Sequence, residues 1–315
     1  MSNKVAIIGA GHVGATIAYT LTVTGVAAEI VLIDINEKKA FGEAMDIRQG
    51  TAYCSPTNIY SGGYADAKDA DIVIITSGVA RKAGQSRLEL SQINTDIIKQ
   101  IAPKVTKYAP NAIYVIVANP VDILTYVFTK VSGIPQNRVF GSGTLLDTAR
   151  LRTSLAEYYN VSQKNVHAYV FGEHGDTSFI PWSISTISSI NINQYHDCFF
   201  NGQVAVPPVD RQKIWEYVKN SGGTIIANKG ATYYAVSIVT AQIVRCIFSS
   251  VDTALTVTSM MNGEYGIDDV CLSTLSIVNN KGIKCKIPTP LDEQEMVLLQ
   301  KSADSLKNVI SGLKI

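Results

Sequence analysis

The chain carries almost no excess charge and few cysteines, and both features narrow its chemistry. Its 27 basic and 26 acidic residues leave a formal net charge of +1 across 315 residues. Such a balance provides no excess of positive charge to bind nucleic acid or an anionic membrane, so neither partner is expected. The five cysteines are scattered and form no CxxC pair, which argues against a disulfide framework and against a thiolate metal site. We expect a protein of a reducing, cytoplasmic compartment without a bound metal.

Long apolar runs are also missing. No stretch approaches the roughly 20 apolar residues that a membrane-spanning helix needs, and the short run at residues 5–8 is too small for a secretory signal core. With 46% hydrophobic residues, the chain can instead bury a large core. Its length favours two lobes that share an interface.

Residues 1–142 alternate short apolar runs with longer helical patterns. The apolar runs lie at residues 4–9, 29–34, 58–61, 71–76, 113–118 and 138–141. The helical patterns lie at residues 11–24, 36–49, 87–108 and 121–131. This alternation is typical of right-handed βαβ crossovers and a parallel sheet that is covered on both faces. It predicts an α/β fold with a doubly wound, dinucleotide-binding Rossmann domain.

The pattern changes in residues 143–315. Helices are predicted at residues 144–158, within 211–248 and at 291–313, and strands at 166–171, 255–260 and 268–278. This mixture predicts a C-terminal α+β domain, which would carry substrate and catalytic residues.

Residues 9–14 read GAGHVG and fit the GxGxxG pattern, which gains specificity here because it follows a predicted strand and opens a predicted helix. Gly9 permits the tight turn, Gly11 lets the backbone approach a pyrophosphate, and Gly14 lets the helix pack against the sheet. Asp34 ends the next strand, where a carboxylate accepts hydrogen bonds from ribose hydroxyls and repels a 2′-phosphate. We therefore expect NAD rather than NADP.

His12 and Val13 occupy the inner positions of the same loop. Both belong to the expected cofactor-binding set because they lie between the glycines. For the side chain of His12, a solvent-facing, variable position is the simpler interpretation.

A histidine, an aspartate and an arginine form the candidate catalytic set. His174 lies in the segment GEHGD at residues 172–176, and Asp147 and Arg150 stand three residues apart on one predicted helix. A histidine can donate and recover a proton near neutral pH, a carboxylate can fix its tautomer, and a guanidinium matches a carboxylate bidentately. Hydride transfer to a small oxo acid requires such a proton donor, a carboxylate that orients it and a cation that binds the substrate carboxylate. Taken singly, each residue also has a plain interpretation as a surface or helix-start charge.

Six segments together resemble the family of L-lactate and malate dehydrogenases, over essentially the full length of the chain. They are GAGHVG, SGVARKAGQSRLEL, ANPVDILTY, GSGTLLDTARLR, VHAYVFGEHGD and NKGATYYA. The resemblance implies that His174 is the proton donor and acceptor, that Asp147 orients it and that Arg150 clamps the substrate carboxylate. The alternative is a relative that binds NAD without turnover, and the joint presence of these residues disfavours it.

The resemblance assigns roles to three further residues. Arg87, at the end of a mobile loop over residues 78–87, polarises the substrate carbonyl, and closure of this loop would expel water. Asn119 contacts the nicotinamide and the substrate. Thr232 forms a wall of the substrate pocket.

The choice between pyruvate and oxaloacetate depends on Arg81. In the family, glutamine at this position accompanies pyruvate, whereas arginine accompanies oxaloacetate, and an arginine facing a methyl group would be an unpaired, desolvated charge. Yet Glu173 and residues 141–144 and 229–232 resemble bacterial lactate dehydrogenases more than malate dehydrogenases. Arg81 can also turn to solvent. L-lactate dehydrogenase is our main interpretation, and malate dehydrogenase is the alternative.

Arg152 and His167 match the basic pair that grips fructose 1,6-bisphosphate between two subunits in allosteric bacterial lactate dehydrogenases. Two cationic groups at a symmetry axis suit a bisphosphate. The resemblance thus implies a homo-oligomer, a dimer or a tetramer, with an effector site. Alternatively, Arg152 is a surface helix charge and His167 a strand-end residue.

Overall fold

The computed structural model describes residues 3–80, 86–195, 199–200, 203–204, 208–249 and 251–315. Its strands are β1 (Lys4–Ile8), β2 (Glu29–Ile33), β3 (Asn58–Ser61), β4 (Ile72–Ile75), β5 (Ile113–Ile116), β6 (Val139–Gly141), β7 (Val166–His167), β8 (Thr186–Ile187), β9 (Ile190–Asn191), β10 (Phe199–Phe200), β11 (Gln203–Val204), β12 (Thr253–Asn262), β13 (Asp268–Asn279) and β14 (Gly282–Lys286). Its α-helices are α1 (His12–Val23), α2 (Glu37–Gln49), α3 (Arg87–Thr106), α4 (Val121–Val131), α5 (Leu145–Tyr159), α6 (Ile192–Tyr195), α7 (Arg211–Lys229), α8 (Tyr234–Phe248) and α9 (Glu293–Ser311).

One nine-stranded sheet joins the two halves of the chain, in the order β3-β2-β1-β4-β5-β6-β12-β13-β14. The strands from β3 to β6 pair in parallel, in the 3-2-1-4-5-6 order of a Rossmann fold. β12 pairs antiparallel with β6 where Thr258 faces Gly141, and β13 and β14 continue the sheet antiparallel. The predicted α/β fold class, with a mixed C-terminal part, is confirmed.

Hydrophobic cores cover both faces of this sheet, because successive side chains of a strand point to opposite faces. In β1, Val5 and Ile7 belong to the core that α1, α2 and α8 complete. Ala6 and Ile8 belong to the opposite core, with α3, α4 and α9. This packing fixes the carboxyl ends of β1 and β4, between which the strand order reverses and dinucleotides bind in such folds.

The second half differs in detail from the sequence expectation. The helical pattern over residues 211–248 is two helices, because Gly230, with φ of +83°, ends α7 and the chain re-enters a helix at Tyr234. The predicted strand over residues 166–171 is interrupted: Val166–His167 pair with β8, and Phe171 forms an isolated antiparallel bridge to Phe179. The strand β14 was not expected from the sequence. Among the described residues, no helix is both long and apolar enough to cross a membrane.

Candidate active site

The glycines of residues 9–14 are required by the backbone that links β1 to α1. Gly9 has φ of +108°, and a Cβ atom there would lie 2.6 Å from Thr76 Oγ1. A Cβ atom on Gly14 would lie 1.9 Å from the carbonyl oxygen of Gly9, so the helix could not approach the turn with a larger residue. At Gly11, in contrast, a Cβ atom would meet nothing within 4 Å. The turn therefore leaves open space at the N-terminus of α1, where backbone N–H groups attract a phosphate.

A cavity of about 380 Å³ lies beside this turn and is bounded in part by Gly9, Gly11 and Asp34. The Asp34 carboxylate is held in place because Oδ2 accepts a hydrogen bond from the Ala10 amide at 2.6 Å and Oδ1 accepts one from the Asn36 amide at 2.8 Å. The open glycine backbone, the helix N-terminus and the fixed carboxylate together fit a dinucleotide with an unmodified ribose.

His12 is exposed, and its ring stacks on that of Tyr233 with centroids 5.4 Å apart and an interplanar angle of 22°. The stack connects the glycine-rich turn to the segment that carries Thr232. Val13 is partly buried and lines a second cavity, described next. The side chain of His12 thus has a specific neighbour, which the interpretation as a variable solvent-facing position did not include.

The second cavity, of about 410 Å³, brings together residues that are far apart in the sequence. Of the predicted site residues, Val13, Asn119, Asp147, Arg150, His174 and Thr232 line it. Lys219 and Asp176 line it too, joined by an ion pair of 3.2 Å. Sequence reasoning missed this pair, since neither residue stands out without knowledge that α7 packs beside residue 176.

The Asp147 carboxylate contacts both His174 and Arg150 in this cavity. Its Oδ2 atom lies 2.6 Å from Nδ1 of His174, and its Oδ1 atom accepts a hydrogen bond from Nη1 of Arg150 at 2.9 Å. The predicted i, i+3 placement on α5 explains how one carboxylate can be near Arg150. The His174 side chain is 26% exposed, so its other ring nitrogen can be reached from the cavity.

Charge interactions shift the titration of this pair. The negative charge of Asp147 raises the pKa of His174 above 6.5 and outweighs burial, which would lower it. Burial alone would raise the pKa of Asp147, but the charges of His174 and Arg150 outweigh it and lower that pKa. The arrangement therefore favours the charged form of both partners, an imidazolium beside a carboxylate.

Arg87 and Glu173 form an ion pair that the sequence did not suggest. Arg87 is the first residue of α3, whose N-terminus is closed by a capping box between Ser86 and Glu89. The Glu173 side chain is fully buried, and it also accepts a hydrogen bond from the Thr177 hydroxyl at 2.5 Å. Among the described residues, Arg87 does not line the cavity that contains His174.

Part of the predicted mobile loop falls outside the residues that the structure describes. Arg81, on which the choice of substrate depends, and residues 82–85 lie outside the described residues. The role expected of Arg81 therefore stays a prediction from the sequence.

Arg152 and His167 lie on neighbouring elements, α5 and β7. Arg152 donates a hydrogen bond from Nε to the Ala168 carbonyl at 3.1 Å, and its guanidinium lies 5.0 Å from the centre of the Tyr169 ring. His167 is exposed. The predicted pair thus consists of one side chain fixed by contacts within the chain, Arg152, and one exposed side chain, His167.

Comparison with known families agrees with this geometry. The lactate/malate dehydrogenase NAD-binding domain matches residues 3–141, and the lactate/malate dehydrogenase alpha/beta C-terminal domain matches residues 144–314. The chain belongs to the lactate/malate dehydrogenase family. The family resemblance seen in the sequence is confirmed, and the matched N-terminal domain is one that binds NAD.

Similar members of this family are named L-lactate dehydrogenase. One from Acetivibrio thermocellus is 47% identical over 316 residues, covering 99% of this chain and 98% of that protein. One from Thermoanaerobacterium saccharolyticum is 47% identical and covers 99% of this chain and 100% of the relative. The ligand-bound crystal structure of the minor L-lactate dehydrogenase of Enterococcus mundtii superposes with a TM-score of 0.94 at 38% identity, covering 100% of this chain and 99% of that one.

Proposed function

We propose that this protein is an NAD-dependent L-lactate dehydrogenase that interconverts pyruvate and L-lactate. The observation that carries the proposal is the Asp147 carboxylate shared between His174 and Arg150 at the wall of one cavity. The relatives named L-lactate dehydrogenase support the same substrate.

In this proposal each residue performs one elementary task. NADH, when bound, supplies the hydride. Asp147 binds the Nδ1–H group of His174, so that the Nε2–H group faces the cavity and can pass its proton to the carbonyl oxygen of the substrate. Arg150 binds the substrate carboxylate, and Asn119 and Thr232 bound the space around it. Arg87 is proposed to polarise the substrate carbonyl once the loop before it closes.

The charges that line the cavity favour a substrate with one carboxylate. Among the described residues, the carboxylates of Asp147 and Asp176 balance the permanent cations Arg150 and Lys219. Protonated His174 then leaves a single positive charge, which one substrate carboxylate neutralises. Arg87 is paired with Glu173 and so adds no net charge to this count. Arg81 would add a second positive charge if it entered the closed site, which keeps oxaloacetate as a second candidate substrate.

The test is NADH oxidation by the purified protein with pyruvate and, separately, with oxaloacetate. We expect a higher kcat/KM for pyruvate and measurable turnover of oxaloacetate. A kcat/KM that is higher for oxaloacetate would replace the proposal with malate dehydrogenase, and no turnover of either would indicate a binding protein.

We further propose a cytoplasmic homo-oligomer, a dimer or tetramer, whose subunit interface binds fructose 1,6-bisphosphate through Arg152 and His167. An effector that binds the assembled active form shifts its population, so the sugar bisphosphate should lower the KM for pyruvate. The check is a titration with fructose 1,6-bisphosphate in phosphate-free buffer, with the Arg152→Gln variant as control. A KM that stays constant in the unmodified protein would leave Arg152 as a structural charge.

A further inference from the structure

A second carboxylate lies behind the acid/base histidine. Asp122, in the first turn of α4, is 2% exposed. Its Oδ2 atom accepts a hydrogen bond from the backbone amide of His174 at 2.8 Å. The helix start that follows Asn119 is thereby bonded to the segment that carries His174. None of the roles given above uses Asp122.

The other oxygen of this carboxylate, Oδ1, is buried and has no hydrogen-bond partner within the described part of the chain. The Thr258 hydroxyl on β12 is near enough to lower the pKa of Asp122, and it too lacks a partner of ordinary geometry there. A buried carboxylate that is incompletely bonded is costly unless a cation compensates its charge. The nearby cations are His174 and, on α3, Arg87.

Other charged and titratable groups among the described residues also lie near this pair. Glu173, next to His174, is paired with Arg87, and Asp176 and Lys219 pair with each other at the wall of the cavity. Asp147 and Arg150, both on α5, face His174. Cys271 on β13 is buried, and burial together with the charge of Asp122 raises the pKa of its thiol, so it stays neutral. Burial raises the pKa of Asp122 itself, whereas His174 and Arg87 oppose that rise. The charge of Asp122 adds to that of Asp147 in raising the pKa of His174.

We propose that Asp122 is a positioning residue for His174: it fixes the histidine backbone and, as an anion, keeps the imidazole protonated during pyruvate reduction. This inference rests on the proposed acid/base function of His174. Its rival is a neutral Asp122 that acts only as a structural hydrogen-bond acceptor. An anionic and a neutral Asp122 differ in charge, and therefore in their effect on the pH dependence of kcat/KM for pyruvate reduction.

Asp122→Asn separates them, because the amide keeps the size of the side chain and an acceptor oxygen but removes the charge. Loss of a nearby negative charge favours neutral imidazole, so the His174 pKa should fall. Pyruvate reduction needs the imidazolium, and its kcat/KM should then decline at lower pH than in the unmodified protein, by about half a pH unit or more. The dissociation constant of NADH should not change. Asp269→Asn, which removes a 62% exposed carboxylate paired with Lys130, is the matched control and should leave the profile in place.

A second variant covers the case in which Asp122→Asn does not fold. Thr258→Val removes the hydroxyl that favours the ionised carboxyl, and it should move the profile in the same direction by a smaller amount. If the pH dependence of kcat/KM does not move in the folded variants, even with a lower kcat, the proposed role of the Asp122 charge is overturned. His174→Ala distinguishes this failure from that of the proposed function, because wild-type turnover in that variant would remove the acid/base assignment itself.

Discussion

The Arg87 guanidinium is paired with the buried carboxylate of Glu173, the residue that precedes His174 in the chain. The proposed action of Arg87 on a substrate carbonyl requires it to reach the cavity from this position. Glu173 is fully buried, whereas the Arg87 side chain is 36% exposed. The two partners therefore depend on each other unequally, since the arginine can be hydrated and the glutamate cannot.

This asymmetry predicts different effects for the two single substitutions. Arg87→Ala leaves a buried carboxylate without its cation and should reduce the free energy of unfolding by about 2 kcal/mol, a value discounted for the partial exposure of Arg87. Glu173→Gln should reduce it less. The double variant should regain much of the stability but not the turnover. Urea denaturation and kcat for pyruvate give the two readouts, and a double variant no more stable than Arg87→Ala would contradict the expected coupling.

The pairing of Asp147 with His174 predicts a shift in pH dependence. Asp147 raises the pKa of His174, so Asp147→Asn should lower that pKa, and kcat/KM for pyruvate reduction should then fall at lower pH than in the unmodified protein. His174→Ala should reduce turnover at every pH by about 100-fold or more. The measurement is kcat/KM across pH in buffers of constant ionic strength. Equal profiles for the unmodified protein and Asp147→Asn would show that the pair does not control the reaction.

Asp34 predicts the choice of nicotinamide cofactor. NADH should be preferred over NADPH, because the carboxylate repels a 2′-phosphate. Asp34→Ser removes this repulsion and should narrow the ratio of the two kcat/KM values. Asp66→Ser, at an exposed position that caps a short helical turn, serves as the control. Equal efficiency with both cofactors in the unmodified protein would argue against this role.

Arg81→Gln tests the substrate preference that the sequence leaves divided. If the guanidinium enters the closed site, the substitution should raise the ratio of kcat/KM for pyruvate to kcat/KM for oxaloacetate. The expected increase is equivalent to a free-energy change of several kcal/mol. If it turns to solvent, the ratio should hardly change. A shift below about threefold, which corresponds to less than about 1 kcal/mol, excludes the inward position.

Local patterns in the sequence were sufficient for the fold class and for part of the geometry of the candidate site. The glycine spacing at residues 9–14 predicted the turn, and the three-residue spacing of Asp147 and Arg150 predicted their common direction on α5. Both are constraints within a single turn or helix. The break at Gly230 also had a local signal, because glycine is favoured just past the end of a helix.

Other features depend on contacts between distant segments, and no local pattern indicates them. Glu173 meets Arg87 only after α3 and residue 173 have been brought together. Asp122 reads as an ordinary acidic residue in the first turn of a helix, and its burial follows from the packing of α4 against β12 and β13. Gly222 likewise lies inside α7, where a Cβ atom on it would be 3.6 Å from Nη2 of Arg150.

The junction of β6 with β12 also affects how genes of this family can be recombined. Gly141 leaves no room for a side chain there, because a Cβ atom would lie 2.5 Å from Thr125 Oγ1 and 2.6 Å from Thr258 Cγ2. A chimera that exchanges its halves near residues 142–143 brings Gly141 and Thr125 from one parent and Thr258 from the other. Parental compatibility at this contact is therefore a requirement of any such exchange, independent of how well the two parents agree at the active site.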